Sequence, residues 1–166
     1  MPIFDENTLE FISRSPQQTR RIGIQLGSLL KIRDVICLSG ELGTGKTTLV
    51  QGIAQGWGSA DNVTSPTFVL VNVYRRPDGP EISHLDAYRL KNALEAEDLD
   101  IDYMLSNGPL IVEWAEKIRE TLPEENLWIE LKYIGEQQRD MVFIPNGAHY
   151  EDIMRHMRRM VFSSVL

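Results

Sequence analysis

The residues whose types and spacing could do chemistry form one contiguous run. Gly40-Glu41-Leu42-Gly43-Thr44-Gly45-Lys46-Thr47 satisfies the pattern G-x-x-x-x-G-K-[ST] at every fixed position, and Thr48 follows it. Glycines let the backbone turn its N–H groups inward toward anionic oxygens, and a helix starting behind the loop adds the positive end of its dipole. Lys46 would reach the β- and γ-phosphates, the Thr47 hydroxyl would bind Mg²⁺, and Thr48 could donate to the α-phosphate. A glycine turn with only a structural role needs neither Lys46 nor Thr47. The run predicts a nucleotide phosphate site.

A phosphate loop by itself hydrolyses nothing; it needs a further acid near the metal and a group that orients water. Two segments that read as strands end in acids: Asp86 closes EISHLD and Glu113 closes PLIVE. In open α/β sheets ligands bind outside the carboxyl ends of parallel strands. LIVE is the better match to a hydrophobic run ending in an acid. Asp86 could instead cap a helix beginning at AYRL, and Glu113 could be a solvent-facing strand end. Trp114 could belong to the core or pack near the nucleotide.

The elements that must hold these residues can be read from periodicity and punctuation. SPQQTRRIGIQLGSLLK predicts a long first helix, with Ser15 as cap, Pro16 in its first turn and an apolar stripe of Ile22, Leu26, Leu29 and Leu30. Val35 to Leu38 reads as a buried strand, followed by the phosphate loop and a helix from Lys46 to Trp57 that ends at glycines. A strand from Phe68 to Tyr74, the turn signal RRPDGP and the returning strand EISHLD predict a hairpin. ALEAEDLDIDYMLSNG predicts one or two short helices. LWIELKY alternates, with Leu127, Ile129, Leu131 and Tyr133 on one side and Trp128, Glu130 and Lys132 on the other, and QRDMVFI reads as its antiparallel partner. A last helix is expected over Tyr150 to Val161. Strands and helices alternate early and hairpins dominate late. The expected fold class is α/β: a mixed parallel and antiparallel sheet flanked by helices.

The chain has 166 residues, the length of one ordinary domain, with normal apolar and charged fractions. Its lone cysteine, Cys37, permits no intrachain disulfide, which fits a reducing compartment. The N-terminal stretch carries acids where a signal peptide carries bases, and no apolar run approaches a membrane span. A cytoplasmic protein with no membrane partner is expected. The net charge of −7 argues against broad electrostatic binding of nucleic acid by this chain alone. The local basic clusters at Arg20–Arg21, Arg75–Arg76 and Arg155, Arg158 and Arg159 read as solvated faces.

Neighbouring nucleotide users differ in specific segments. A guanine reader N-K-x-D and a metal segment D-x-x-G are both missing, which argues against a GTPase. A small-molecule kinase closes an arginine-rich lid over the phosphates. The nearest arginines here are Arg75, Arg76 and Arg89, two of them in a hairpin turn. That alternative stays open from these residues alone.

GELGTGKTTL, VTSPTF, HLDAYRL and LIVEW, in that order, resemble the four motifs of the TsaE (YjeE-like) ATPases of bacterial tRNA threonylcarbamoyladenosine synthesis. The resemblance covers roughly Phe11 to Phe143. It implies a single P-loop NTPase-like domain over residues 1–166 and an Mg²⁺-dependent ATPase, weak alone. Its partner would be the threonylcarbamoyl-transferase heterodimer of TsaD and TsaB-like proteins, with tRNA reached through that partner. By resemblance, Glu41, Leu42, Gly43, Thr44, Gly45, Lys46, Thr47 and Thr48 hold ATP. Ser65, Pro66 and Thr67 form a switch that senses the γ-phosphate. Asp86 is the aspartate of H-x-D-x-Y-R, which His84 completes, and Glu113 with Trp114 is the acid–tryptophan pair. Thr47, Asp86 and Glu113 are then expected at Mg²⁺, and Lys46, Asp86 and Glu113 at the reaction. Ser15 and Pro16 fall where the family's first helix approaches the nucleotide.

Overall fold

The computed structural model describes residues 7–41, 44–64, 71–91 and 93–163. Seven strands, β1 (Leu9–Ser13), β2 (Val35–Ser39), β3 (Val71–Arg75), β4 (Glu81–Asp86), β5 (Leu110–Glu113), β6 (Asn126–Gly135) and β7 (Gln138–Asn146), form one sheet in the order β1-β7-β6-β2-β5-β4-β3. β2 is central and runs parallel to both β5 and β6, and β4 runs parallel to β5. The pairs β1–β7, β6–β7 and β3–β4 are antiparallel. A strand covered on both faces needs apolar residues at every position, and Val35, Ile36, Cys37 and Leu38 are all buried.

Two layers cover the sheet. Helices α1 (Pro16–Gly27), α2 (Lys46–Trp57) and α5 (Ala148–Ser163) bury Leu26, Leu49, Ile53, Ile153 and Met157 against Ile36, Leu38, Ile111, Leu127 and Ile129. On the other face α3 (Ala93–Glu97), α4 (Ile101–Asn107) and a 3₁₀ segment, Ala115–Thr121, cover Val35, Cys37, Leu85, Val112 and Trp128. The alternation in β6 therefore has the expected sense, except that Tyr133, beyond the core, is exposed.

Local signals set the helix starts. Ser15 caps α1 by accepting from the Gln18 N–H at 3.2 Å, with Pro16 at the first helical position. The helix ends at Gly27, earlier than the apolar stripe suggested. Leu29 and Leu30 continue in tight turns, bonding to Leu26 and Gly27, and Leu30 still reaches the core. α1 and α2 meet backbone to backbone. A Cβ on Gly27 would lie 2.1 Å from the Ile53 carbonyl oxygen, and one on Gly56 2.0 Å from that of Ile24. Only hydrogen side chains allow this spacing.

The hairpin, the paired short helices and the β6–β7 pairing agree with the sequence expectation. The third strand begins at Val71 among the described residues, and the last helix extends past the expected Tyr150–Val161 at both ends. β1 and the 3₁₀ segment are additions that the sequence reading did not contain. Among the described residues no helix is long and apolar enough to cross a membrane.

Candidate functional site

The phosphate loop joins the central strand to α2. Gly40 has φ +143° and Gly45 φ +92°. A Cβ at Gly40 would come within 2.4 Å of the Leu131 carbonyl oxygen, so β6 presses the loop into its path. The Thr44 hydroxyl donates to the Glu41 carbonyl at 2.7 Å; Leu42 and Gly43 lie outside the described residues. Gly45 is the N-cap of α2 and offers no side-chain acceptor, and the first turn carries no acid. The helix N–H groups and dipole are thus left for an external anion. Thr47 and Thr48 sit in that first turn, half-buried.

Lys46 is 6% exposed. Its ammonium donates to the Gly40 carbonyl and lies 3.9 Å from the centroid of the Trp114 ring. Desolvation lowers its pKa, and the charges of Glu113, Glu116 and Asp86 draw it part of the way back. The indole face offsets part of what the ammonium loses by leaving water.

The two acids are partners in register. β4 and β5 run parallel with Asp86 opposite Glu113, and the Ala87 N–H donates to the Glu113 carbonyl at 3.0 Å. Adjacent strands lie about 4.8 Å apart, so both carboxylates share one end of the sheet beside the loop. Asp86 caps no helix: its Oδ1 accepts the Tyr88 N–H at 2.9 Å in a local turn. Burial holds its carboxyl above the usual range; the Tyr88 N–H pulls it down and the Glu113 charge pushes it further up. Glu113 is not a solvent-facing strand end. It is 3% exposed, and its Oε2 is 2.7 Å from His84 Nε2. The His84 Nδ1 is in turn 2.6 Å from the Tyr74 hydroxyl, which burial pushes up to about 12.

Trp114 belongs to the site side rather than to the deep core. Its backbone is left-handed, φ +57°, a conformation that costs a non-glycine residue about 1–2 kcal/mol. The reversal ends β5, starts the 3₁₀ segment and lays the indole over Lys46. The Tyr88 ring packs against it, tilted by 48° with centroids 5.0 Å apart, and the Lys117 ammonium donates to the Tyr88 carbonyl.

Mg²⁺ fits these residues only in part. Thr47, Asp86 and Glu113 offer hard oxygen donors, yet among the described residues no group of three His, Cys, Asp or Glu side chains could hold a metal. An octahedral shell would have to be completed by phosphate oxygens and water, the usual arrangement for nucleotide-bound Mg²⁺.

The structure brings Glu41, Thr44, Gly45, Lys46, Thr47, Thr48, Asp86, Glu113 and Trp114 to the loop end of three adjacent strands. Ser65, Pro66 and Thr67 lie outside the described residues. Ser15 and Pro16 start α1. Two of the three arginines considered for a lid are engaged elsewhere: Arg75 pairs with Glu81, and Arg76 pairs with Asp78 and covers the Trp57 ring. Sequence reasoning did not identify Tyr74 and left His84 undecided. Both become visible only through the β3–β4 register.

The family model for threonylcarbamoyl adenosine biosynthesis protein TsaE matches residues 13–141. This chain belongs to the TsaE family. Its relatives include the tRNA threonylcarbamoyladenosine biosynthesis protein TsaE of Bacillus subtilis, 37% identical over 91% of this chain and 94% of the relative. The TsaE protein of Streptomyces coelicolor is 47% identical over 68% of this chain and 77% of its own length. A crystal structure of Bacillus subtilis YdiB superposes with a TM-score of 0.77 at 31% identity, covering 93% of this chain and 96% of that one. The matched residues contain the loop, β4, β5 and Trp114, so membership of the TsaE family rests on the part of the chain that builds the site.

Proposed function

We propose that this chain is an Mg²⁺-dependent ATP hydrolase acting in tRNA threonylcarbamoyladenosine biosynthesis. In this reading its 166 residues form one P-loop ATPase domain. It works in the cytoplasm with the threonylcarbamoyl-transferase heterodimer of TsaD and TsaB-like proteins. The chain meets tRNA through those partners, which suits its charge of −7. Hydrolysis resets the complex between rounds of transfer.

The observation that carries the proposal is the register pairing of Asp86 with buried Glu113 beside a desolvated Lys46 at the start of α2. The α2 N–H groups and Lys46 bind the phosphates, with Lys46 leaving the Trp114 ring to do so. Ser65 and Thr67 are assigned to sensing the γ-phosphate. Mg²⁺ would be held by Thr47, with Asp86 and Glu113 directly or through water, and would supply charge neutralisation at the phosphates. Glu113 holds the attacking water in line and takes up its proton as the new oxygen–phosphorus bond forms and the bond to the departing ADP oxygen breaks, and burial at the sheet end keeps other water out. In the kinase alternative the γ-phosphoryl group goes to a small metabolite, which needs arginines to cover the phosphates, and Arg75 and Arg76 are engaged in ion pairs.

Phosphate release from ATP with Mg²⁺, measured with and without the partner heterodimer and tRNA, tests the proposal. Weak release alone and a marked rise with the partners is the expected result. Absence of release in both conditions, or dependence on an added small acceptor that becomes phosphorylated, overturns it.

A further inference from the structure

Three polar side chains cross the α2-facing side of the sheet in a diagonal line. Tyr74 stands on β3, His84 on β4 and Glu113 on β5. In the register His84 lies opposite Asn72 and Ile111, so Tyr74 and Glu113 are each two residues further on, on the same face. All three are almost wholly buried, at 2%, 0% and 3% exposed, with Ile82 and Ile111 beside them. Burying a phenol, an imidazole and a carboxylate among aliphatic residues is costly unless each polar atom has a partner.

The partner of Nε2 fixes where a ring hydrogen sits. The Tyr74 hydroxyl donates to the Thr64 carbonyl at 3.2 Å and lies 2.6 Å from His84 Nδ1. The Thr64 carbonyl, with two lone pairs, also accepts from the Asn72 side-chain amide at 3.1 Å. An ionised carboxylate only accepts, so the 2.7 Å contact with Glu113 Oε2 places a ring hydrogen on Nε2. Nε2 then donates to Glu113 Oε2. Among the described residues Oε1 of Glu113 has no hydrogen-bond donor, so the chain occupies one carboxylate oxygen and leaves the other for the loop end of the sheet.

We propose that His84, oriented by Tyr74, is a positioning residue that fixes the rotation of the Glu113 carboxylate and reserves Oε1 for the reaction. This rests on the reading of Glu113 as the group that aims the attacking water. His84 touches neither substrate nor metal; it acts through Glu113, as outer partners do for ligating groups elsewhere. Tyr74, 2.6 Å from Nδ1, holds the imidazole in the plane that aims Nε2 at the carboxylate.

The test uses the full chain with its partners and compares turnover with the affinity for a non-hydrolysable ATP analogue. His84→Leu and Tyr74→Phe are expected to lower kcat about tenfold or more while analogue affinity changes less than about threefold. His84→Gln, whose amide can still donate to Glu113, should recover most of the His84→Leu loss. Turnover within twofold of wild type in both His84→Leu and Tyr74→Phe overturns the proposal. So does a matching fall in turnover, affinity and melting temperature that His84→Gln does not relieve, since that is the mark of a purely structural role. Nitrogen-15 imidazole spectra of the nucleotide-free chain give a reading independent of hydrolysis. A hydrogen on Nε2, with Nδ1 resonances that move in Tyr74→Phe, is expected, and an Nε2 that carries no hydrogen overturns the wiring. A wild-type chain that releases no phosphate while showing the Nε2–H tautomer would sink the proposed activity and leave the carboxylate geometry standing.

Discussion

The ammonium of Lys46 rests 3.9 Å above the ring of Trp114, and the left-handed backbone of Trp114 holds that ring in place. A nearby ammonium perturbs indole emission, so this contact makes Trp114 a reporter of where Lys46 points. Titration with ATP and Mg²⁺ is expected to change tryptophan fluorescence, and Trp114→Phe should abolish the change although Trp57 and Trp128 remain. A full response surviving in Trp114→Phe would show that Lys46 does not leave the ring.

Lys46→Ala should reduce phosphate release about a hundredfold or more, in line with removing a main electrostatic donor from a dry site. The folded state should persist, because among the described residues the Lys46 ammonium is engaged by the Gly40 carbonyl and an indole face, and neither contact joins two elements of the core. Phosphate release and circular dichroism check the two halves separately. Undiminished release contradicts the site.

Glu113→Gln keeps size and most hydrogen bonding but removes the charge. Turnover should fall by about two orders of magnitude or more, with a much smaller change in ATP affinity. Single-turnover hydrolysis beside calorimetric ATP binding separates the two. An equal loss in both would move Glu113 from the reaction to ground-state binding.

Asp86 gives a prediction about acidity. Its folded carboxyl is held above the ordinary 3.8 first by burial, with the Glu113 charge adding to the effect against the Tyr88 N–H. The folded state thus binds this proton more tightly than the unfolded chain. The associated stability is present below that ordinary value and is lost as pH rises through the folded one. Asp86→Asn removes the loss. Without nucleotide the variant should melt higher than wild type at neutral pH, and the difference should vanish near pH 4 and below. Its response to Mg²⁺ should weaken at the same time. Identical melting curves at neutral pH would show that the ionised carboxylate costs the fold nothing.

Gly27→Ala sets two effects of opposite sign against each other. Helix propensity favours alanine by about 1 kcal/mol. Against it, the new Cβ would sit 2.1 Å from the Ile53 carbonyl oxygen, backbone that cannot rotate away. Overpacking of this kind costs about 1–3 kcal/mol, so the net should be a lower denaturation midpoint. A midpoint at or above wild type would mean that α1 and α2 can separate.

Much of this molecule is legible from local pattern. The phosphate loop, the Ser15 cap, the apolar runs that open β2 and β5 and the alternation of β6 each carry their signal within a few residues. Glu113 stood out because an acid ending a buried run is uncommon. What stayed hidden depends on distant pairing. β1 is a five-residue strand of mixed polarity that exists because Leu9 to Ser13 line up with Phe143 to Arg139 at the far end of the chain. The role of His84 needed Tyr74, which only the hairpin register brings beside it. The left-handed turn at Trp114 has no glycine or asparagine to announce it.

The order of the sheet has a consequence for synthesis. β2, which carries the phosphate loop, is flanked on both sides by strands made much later, β5 and β6. While the ribosome is still adding residues, the most apolar strand of the chain has two bare edges and no neighbour. Long-range pairing of this sort is slow to form and prone to association meanwhile. The nucleotide site can therefore assemble only near the end of translation, so a truncated chain that stops before β6 would carry the complete phosphate-loop sequence on a strand still open along one edge.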